Sequence, residues 1–93
     1  MNEPIEPKAA KQLIQKILGA GDARVSFSAH ALEELANDSL TTVDAVNVLR
    51  GGVVEYPELE RGTWRYRVRT NRIVVVVAFR TETHLVVVTA WRI

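Results

Sequence analysis

The sequence predicts an α+β domain in which N-terminal helices pack on one face of an antiparallel β-sheet. Three observations support this class. Apolar residues recur at helical spacing in the first half of the chain. Three runs in the second half, at 64–69, 73–79 and 85–91, are rich in β-branched and aromatic residues. The loops between these runs are short, which favours a meander of neighbouring strands.

The first seven residues are predicted to be a flexible tail, and residues 8–93 a single domain. Residues 8–18 are predicted to form an amphipathic helix, because their apolar residues fall on one face. These residues are Ala10, Leu13, Ile14, Ile17 and Leu18. Pro7 suits the first turn of this helix, and Gly19 with Gly21 is expected to end it.

A short strand and a second helix are predicted to follow. Residues 24–28 are predicted to be the strand, with Val25 and Phe27 on one face. The hydroxyl of Ser28 is expected to cap a helix that runs to about Asn37. The residues expected to face inward in this helix are Leu32, Leu35 and Ala36.

A third helix is predicted to begin with a capping box. Thr41 and Asp44 have the required spacing, with aspartate at the position where glutamate is commoner. The glycine pair at 51–52 is expected to end the helix. Its inward residues are expected to be Val43, Val46 and either Leu49 or Arg50. Residues 53–56 are strand-like, and residues 57–62 are predicted to be a polar loop.

Side-chain alternation in the long strands predicts two faces of different chemistry. Arg69 is taken to pair with Arg72 across a two-residue turn at 70–71. One face then collects the predicted core residues, which are Trp64, Tyr66, Val68, Ile73, Val75, Val77 and Phe79. The other face collects Arg65, Arg67, Arg69, Arg72, Val74, Val76 and Ala78. The apolar face is expected to pack against the helices.

The last strand is predicted to extend the arginine side of the sheet. Pairing Ala78 with Val86 places Arg92 opposite Arg72, in a row with Arg69 at the end of the sheet. A one-residue slip would instead move Arg92 to the core face. The valines that share a face with the arginines are expected to form an exposed apolar patch, which is typical of a binding surface.

Charge is divided between the two halves of the chain. Residues 61–93 contain seven arginines and one acid, a net charge of +6, whereas residues 1–60 contain five basic and ten acidic residues, a net charge of −5. Like charges that face each other in a sheet are destabilising, so an arginine cluster is easier to understand as an anion-binding site. The alternative is an ordinary solvated face. Its neutralising acids would be Glu33, Glu34, Glu55 or Glu58.

The remaining composition excludes several classes of protein. The chain has no cysteine, which excludes a disulfide framework and a thiolate zinc site. Its N-terminus lacks the basic and apolar segments of a signal peptide. The longest apolar run has seven residues, at 73–79, and is too short to span a membrane. The sequence therefore predicts a cytoplasmic protein with no membrane association, no metal and no cofactor.

His30, at the start of the second helix, has two interpretations. It is either a packing or capping residue, or an acid/base group beside positive charge at the end of the sheet. His84 is interpreted as an exposed residue of the turn at 80–84. Trp91 is in phase with the core residues of its strand and is expected in the core. Tyr66 also faces the core, which argues against a catalytic tyrosine.

The order of the motifs resembles that of a widespread group of small bacterial proteins of uncharacterised function. The motifs are Ser-x-His-Ala at 28–31, the capped segment at 40–52, the arginine-rich hairpin, and the Val-Val-Val-Thr-Ala-Trp ending at 86–91. That group in turn resembles the MqsR and BrnT toxins of the RelE-like superfamily. The resemblance covers about residues 9–92 and implies a RelE/MqsR-like fold, with helices packed on a curved antiparallel sheet.

In those toxins the open sheet face binds messenger RNA and cleaves it without a metal, and a cognate antitoxin neutralises the toxin. The resemblance implies catalytic roles for His30, Arg67 and Arg72. It implies RNA or phosphate binding by Arg65, Arg69 and Arg92. Without its antitoxin, the protein is expected to be a monomer or a weak homodimer. Many RelE-like toxins place lysines on the sheet, whereas this chain has no lysine after Lys16.

Two functional hypotheses follow from the sequence. The first is a toxin-like, metal-independent endoribonuclease, in which arginines stabilise charge on the phosphate and His30 serves as acid or base. The alternative is a non-catalytic binding or regulatory module that docks RNA or an acidic partner protein on the same face. Salt-sensitive binding without cleavage products would indicate the second hypothesis.

Overall fold

A computed structural model of the chain describes residues 1–20 and 24–93. Within these ranges the chain forms three α-helices and six β-strands, which confirms the predicted α+β class. In chain order they are α1 (Pro7–Gly19), β1 (Val25–Phe27), α2 (Ala29–Asn37), α3 (Thr42–Gly51), β2 (Val53–Val54), β3 (Glu58–Glu60), β4 (Thr63–Arg69), β5 (Ile73–Thr81) and β6 (His84–Arg92). None of these three helices has the length and apolar character needed to cross a membrane.

Helix α1 lies close to its predicted bounds. Pro7 occupies its first turn, where the missing N–H costs no hydrogen bond within the helix. Ala10, Ile14 and Ile17 are buried in the main hydrophobic core, as the apolar periodicity predicts. The helix ends at Gly19. The predicted role of Gly21 lies outside the described residues.

Helices α2 and α3 begin at the residues predicted to cap them. The hydroxyl of Ser28 accepts a hydrogen bond from the Ala31 N–H at 3.0 Å. Thr41 and Asp44 form a reciprocal capping box. The Asp44 N–H donates to the Thr41 hydroxyl at 3.2 Å, and the Thr41 N–H donates to the Asp44 carboxylate at 2.8 Å. Both predicted caps are therefore confirmed.

The inward faces of α2 and α3 differ from the prediction. The buried residues are Ala31 and Leu35 in α2, and Ala45, Val48 and Leu49 in α3. Leu32 is 47% exposed and Val43 is 65% exposed, and Ala36 is also exposed. Each helix turns an alanine inward, because a small side chain allows close packing, and this rotation carries Leu32 and Val43 outward.

In the described residues the strands form a mixed sheet with the order β1-β6-β5-β4-β2, and β3 also pairs with β4. The predicted antiparallel meander of β4, β5 and β6 is confirmed. The sheet as a whole is mixed rather than antiparallel as predicted, because β1 pairs with β6 in parallel.

The prediction that residues 57–62 form a loop is also wrong, because they contain β3. This strand pairs with β4 across a turn in which Arg61 and Gly62 have φ values of 52° and 80°. The alternation that marks a half-buried strand is missing here, since all three residues of β3 are exposed.

The register between β4 and β5 differs from the prediction by two residues. Arg69 pairs with Val74 rather than with Arg72. The turn lies one residue later than predicted, at 71–72, since the Thr70 N–H donates to the Ile73 carbonyl at 3.0 Å. A shift of two residues leaves every side chain on its predicted face, because the side-chain period of a strand is two.

The sheet therefore has the two predicted faces. The helix-covered face contributes to the main core the residues Tyr66, Val68, Val75, Val77, Phe79, Leu85, Val87 and Ala90. The opposite side, which we call the arginine face, carries Arg65, Arg67, Arg69, Val74, Val76, Ala78 and Val86. On the helix-covered face, Tyr66 and Phe79 make an edge-to-face contact with ring centroids 5.1 Å apart.

Strand β6 contains a β-bulge at Val88. The register before the bulge is the predicted one, with Ala78 paired to Val86. Val76, however, pairs with Thr89, so that Val88 is an extra residue on β6. An extra residue on one strand changes the face that each following residue occupies relative to a regular ladder.

The bulge reverses the predicted faces at the end of the chain. Trp91 pairs with Val74 and lies on the arginine face, so its predicted place in the core is wrong. Arg92 pairs with Ile73 instead of lying opposite Arg72. The predicted row of three arginines at the end of the sheet is therefore also wrong.

The N-terminal segment, predicted to be a flexible tail, contacts the core through Tyr66. The buried hydroxyl of Tyr66 donates to the Glu3 carboxylate at 2.9 Å and accepts from the Ile5 N–H at 3.1 Å. Burial raises the pKa of Tyr66 to about 12; the Ile5 N–H opposes this rise and Glu3 adds to it. The prediction that Tyr66 faces inward is confirmed.

Candidate functional site

A pocket on the arginine face brings together side chains from α2, β3, β4, β5 and β6. Its volume is about 220 Å³. It is lined by His30, Glu58, Glu60, Arg65, Arg67, Val76, Val88, Thr89 and Trp91. We call it the His30 pocket. Three of the six predicted site residues, His30, Arg65 and Arg67, therefore line one pocket.

Trp91 and Arg67 lie next to each other in the His30 pocket. The guanidinium carbon of Arg67 lies 5.7 Å from the centroid of the Trp91 ring, within the range of a cation–π interaction. Trp91 is half-buried in this position. Sequence reasoning missed Trp91 as a site residue. In a regular strand Trp91 would lie on the same face as the core residues Leu85 and Val87, but the bulge at Val88 moves it to the other face.

Ser28 connects the bulge to the helix that carries His30. Its hydroxyl donates to the Val88 carbonyl at 2.8 Å while it accepts from the Ala31 N–H, and its own N–H donates to the Val87 carbonyl at 3.0 Å. One side chain thus caps α2 and satisfies the carbonyl of the bulged residue. This arrangement fixes the start of α2, and with it the backbone of His30, relative to β6.

Strand β3 brings two carboxylates to the pocket. Glu60 Oε2 lies 3.6 Å from Arg65 Nη1, and Glu58 is directly opposite Arg65 in the ladder. The Nε of Arg65 is buried and has no hydrogen-bond partner among the described residues. A buried donor without a partner is costly, and an acceptor bound beside it would satisfy it. Sequence reasoning missed Glu60 because it assigned this segment to a loop.

Arg69 and Arg72, two of the other predicted site residues, do not line the pocket. The Nε of Arg69 donates to the Glu55 carboxylate at 2.8 Å, so one of the acids expected to neutralise the arginines does so. Arg72 is exposed in the turn between β4 and β5, and its carbonyl accepts from the Ile93 N–H at 2.7 Å.

Arg92, the sixth predicted site residue, is held at the end of α2. Its N–H donates to the Asp38 carboxylate at 2.8 Å. Its guanidinium Nη2 and Nε donate to the Asp38 carbonyl at 3.0 Å and 3.3 Å. An arginine at a helix C-terminus is electrostatically favourable, so Arg92 stabilises the end of α2 in this structure.

The valines of the arginine face do not form the expected exposed patch. The four small apolar residues between the arginines are only 6–8% exposed; they are Val74, Val76, Ala78 and Val86. In the ladder Val74 lies between Arg69 and Trp91, and Val76 has Arg67 as a direct neighbour. Long side chains cover such residues with their apolar stems, which is why the expectation is wrong.

His84 also differs from its prediction as an exposed turn residue. It is the first residue of β6 and pairs with Thr81, because β5 and β6 extend to a turn of two residues. Its Nε2 lies 2.7 Å from the hydroxyl of Ser26 on β1. His84 is half-buried there and does not line the His30 pocket.

The His30 pocket places a histidine and two carboxylates, which are able to transfer protons, beside two arginines, which are able to bind phosphate. Histidine donates and accepts protons near neutral pH, and arginine binds phosphate through two parallel hydrogen bonds. Across residues 1–20 and 24–93, no group of three or more histidine, aspartate and glutamate side chains is arranged to hold a metal ion. The chemistry that these side chains offer is proton transfer next to a stabilised anion.

Comparison with known proteins gives one match. No curated protein and no solved structure is detectably similar to the chain. The family model of a domain of unknown function, DUF4258, matches residues 27–92. This segment is more than half of the chain and includes every residue that lines the His30 pocket. The chain therefore belongs to the DUF4258 family.

Proposed function

We propose that the protein is a toxin-like endoribonuclease of a bacterial toxin–antitoxin module, which binds mRNA on the arginine face and cleaves it without a metal in the His30 pocket. One observation carries this proposal. His30 from α2 and two arginines of β4 line the same pocket as two carboxylates of β3. A ribonuclease that uses no metal needs an acid, a base and cationic groups within reach of one phosphate.

The reaction that fits these groups is transesterification by the RNA itself. The ribose 2′-hydroxyl loses a proton to a general base and forms a bond to the adjacent phosphorus. The bond from phosphorus to the 5′-oxygen of the next nucleotide breaks, and a general acid protonates that oxygen. The products are a 2′,3′-cyclic phosphate and a free 5′-hydroxyl. His30 is one of the two proton-transfer groups, and Glu58 or Glu60 is its complement.

The arginines of β4 stabilise the phosphate in this scheme. Arg67 lines the pocket and is free of any ion pair within the described residues, so its guanidinium is available to the charge that develops on phosphate. Arg65 adds a buried Nε that lacks an acceptor. Arg72, exposed in the turn after β4, would bind a neighbouring phosphate of the same strand.

A cognate antitoxin is the protein partner that this function implies. The second half of the chain carries a net charge of +6, and three of its seven arginines, Arg65, Arg67 and Arg69, lie on one face of the sheet. An antitoxin segment rich in acidic residues would complement this charge and exclude RNA from the same surface.

A second candidate function is a binding module that docks RNA or an acidic protein without cleaving RNA. The contact between Glu60 and Arg65 favours it, because a carboxylate at this position neutralises part of the charge that a phosphate would use. The ion pair between Arg69 and Glu55 has the same effect nearer the turn. This function predicts salt-sensitive binding on the arginine face and no cleavage products.

The deciding experiment compares growth and RNA cleavage for the parent and three alanine variants. Tightly induced parent protein is expected to arrest bacterial growth, and its RNA products are expected to carry 2′,3′-cyclic phosphates in the presence of a metal chelator. His30→Ala and Arg67→Ala are expected to lower cleavage about 100-fold or more. Arg69→Ala is the matched control, because Arg69 is on the same face of β4 but is paired with Glu55, and it is expected to keep cleavage within about threefold.

Two results would contradict the ribonuclease proposal. The first is a parent protein that neither arrests growth nor yields cyclic-phosphate ends, in cells or with purified RNA. The second is equal loss of cleavage in Arg67→Ala and Arg69→Ala, which would indicate a general effect of charge rather than a role of the pocket. Salt-sensitive RNA binding by a parent that does not cleave RNA would favour the binding module.

A further inference from the structure

Trp91 occupies a position that the regular alternation of a strand does not explain. It is half-buried on the arginine face, although a regular β5–β6 ladder continued from the Ala78–Val86 pair would carry it into the core. The extra residue at Val88 interrupts the ladder and aims Trp91 into the His30 pocket. Bulges that redirect a side chain in this way are over-represented next to functional sites.

The surroundings of the bulge hold this arrangement in place. The carbonyl of Val88 accepts from the Ser28 hydroxyl at 2.8 Å, so the bulge costs no hydrogen bond at that carbonyl. The guanidinium of Arg67 lies 5.7 Å from the centroid of the Trp91 ring. An aromatic plane and a phosphate-binding cation are thus side by side in one pocket.

We infer that Trp91 is a platform on which one base of the RNA stacks while Arg67 binds the adjoining phosphate, which makes single-stranded RNA the ligand of the pocket. The inference rests on the proposed RNA ligand and does not require cleavage. Bases stack on aromatic side chains in single-stranded nucleic-acid sites, and this stacking tolerates many sequences because every base has a π-face.

The same geometry excludes a double helix as the ligand. In a duplex the bases are stacked on each other and their faces are unavailable to a tryptophan that lines a pocket. An unpaired base, in contrast, can enter a pocket of about 220 Å³ between His30 and Trp91. The platform therefore selects unpaired RNA, without reading its sequence.

The test is equilibrium binding of labelled RNA to the full chain at fixed salt concentration. The three probes are a single-stranded RNA, an abasic strand of the same length, and a blunt RNA duplex. Trp91→Leu is expected to weaken binding of the single strand about 10-fold or more and to leave binding of the abasic strand unchanged. Trp91→Phe, which keeps an aromatic ring, is expected to stay within about threefold of the parent.

A second readout is independent of the Trp91 variants. The chain has two tryptophans, so Trp91 is the only one left in Trp64→Phe. Trp64 packs against the helix-side core and does not line the pocket. Single-stranded RNA is expected to quench the fluorescence of Trp91 in this variant, and the abasic strand is not.

The possible outcomes separate this inference from the proposed function. Equal binding of single-stranded RNA by the parent and Trp91→Leu, without quenching in Trp64→Phe, would overturn the platform and leave RNA binding intact. Binding of the abasic strand as tight as that of the normal strand would also overturn it. A parent that binds none of the three probes would overturn both the proposed function and the inference.

Discussion

The helix-covered face and the arginine face of the sheet are built from the same three strands, but different neighbours cover them. On the helix-covered face, residues such as Tyr66, Val75 and Leu85 are fully buried in one cluster with the three helices. On the arginine face, Val74 and Val76 are buried outside that cluster, flanked by long polar and aromatic side chains of the same sheet.

The difference indicates where substitutions affect stability and where they affect binding. The atoms on the helix-covered face are close-packed and have little room to adjust to a new side chain. We therefore expect a substitution there to lower the free energy of unfolding. Arg67 is exposed and Trp91 is half-buried, and both line the pocket. We therefore expect substitution of either residue mainly to weaken ligand binding. Ser28 belongs to both faces, because it caps α2 and holds the bulge.

Gly52, which follows α3 on the helix-covered side, is expected to give the largest loss of stability. A Cβ at this position would lie 2.6 Å from the Val48 carbonyl oxygen, 2.9 Å from Val68 Cγ1 and 3.0 Å from the Arg69 carbonyl oxygen. Two of these atoms belong to the backbone and cannot move without strain. Gly52→Ala is therefore expected to lower the free energy of unfolding by about 3 kcal/mol in urea denaturation.

Gly51→Ala is the matched control for this prediction. Nothing lies within 4 Å of the position that its Cβ would occupy, and Gly51 is the last residue of α3. The free energy of unfolding is expected to stay the same or to rise by up to about 1 kcal/mol. Similar destabilisation by both substitutions would contradict the steric explanation.

The next largest loss of stability is expected at high pH and arises from Tyr66, which lies on the same face. Its pKa is about 12 in the folded protein and 10.0 in the reference state, so the folded protein holds this proton more tightly. The stabilisation is fully present below pH 10 and decreases as the pH rises through 12. The free energy of unfolding is expected to fall by roughly 2 kcal/mol between pH 9 and pH 12 from this group alone.

Tyr66→Phe isolates the contribution of the hydroxyl, because lysines also titrate in this range. The variant keeps the ring against Phe79 and loses the hydrogen bonds to Glu3 and Ile5. Its stability is expected to decrease less steeply than that of the parent from pH 10 upward. Parallel curves for the two proteins would show that burial of the hydroxyl does not govern this pH dependence.

The sequence predicted local features and both faces of the sheet, because these depend on short-range chemistry. Ser28 and Thr41 cap their helices through groups three residues away. The two-residue error in the β4–β5 register leaves every side chain on its predicted face, since the side-chain period of a strand is two. Three of the predicted site residues, His30, Arg65 and Arg67, accordingly line one pocket.

The rest of the site depends on how the strands pair, and these pairings leave no pattern in the local sequence. The bulge lies in a run of three valines, 86–88, in which no residue type marks the extra position. The faces predicted for Trp91 and Arg92 are therefore wrong. Glu60 was missed for a related reason, because β3 is exposed on both sides and lacks the alternation of a half-buried strand.

A further stability effect is expected at Ser28, where the two faces meet. Ser28→Ala removes the cap of α2 and leaves the Val88 carbonyl without its donor, so the free energy of unfolding is expected to fall by about 2 kcal/mol. Thr41→Ala is the matched control. It removes a cap of the same kind from α3, which lies away from the pocket, and is expected to cost about 1 kcal/mol.

The two cap variants should also differ in how they affect Trp91. If Ser28 holds the bulge that aims Trp91, its loss frees the end of β6, and acrylamide should quench Trp91 more strongly in a Trp64→Phe background. Thr41→Ala should leave this quenching unchanged, because α3 has no residue in the pocket. Equal quenching in both variants would mean that the β5–β6 ladder holds Trp91 without help from α2. In that case α2 would not influence the position of Trp91 on the arginine face, and the Ser-x-His-Ala motif would position His30 but not Trp91.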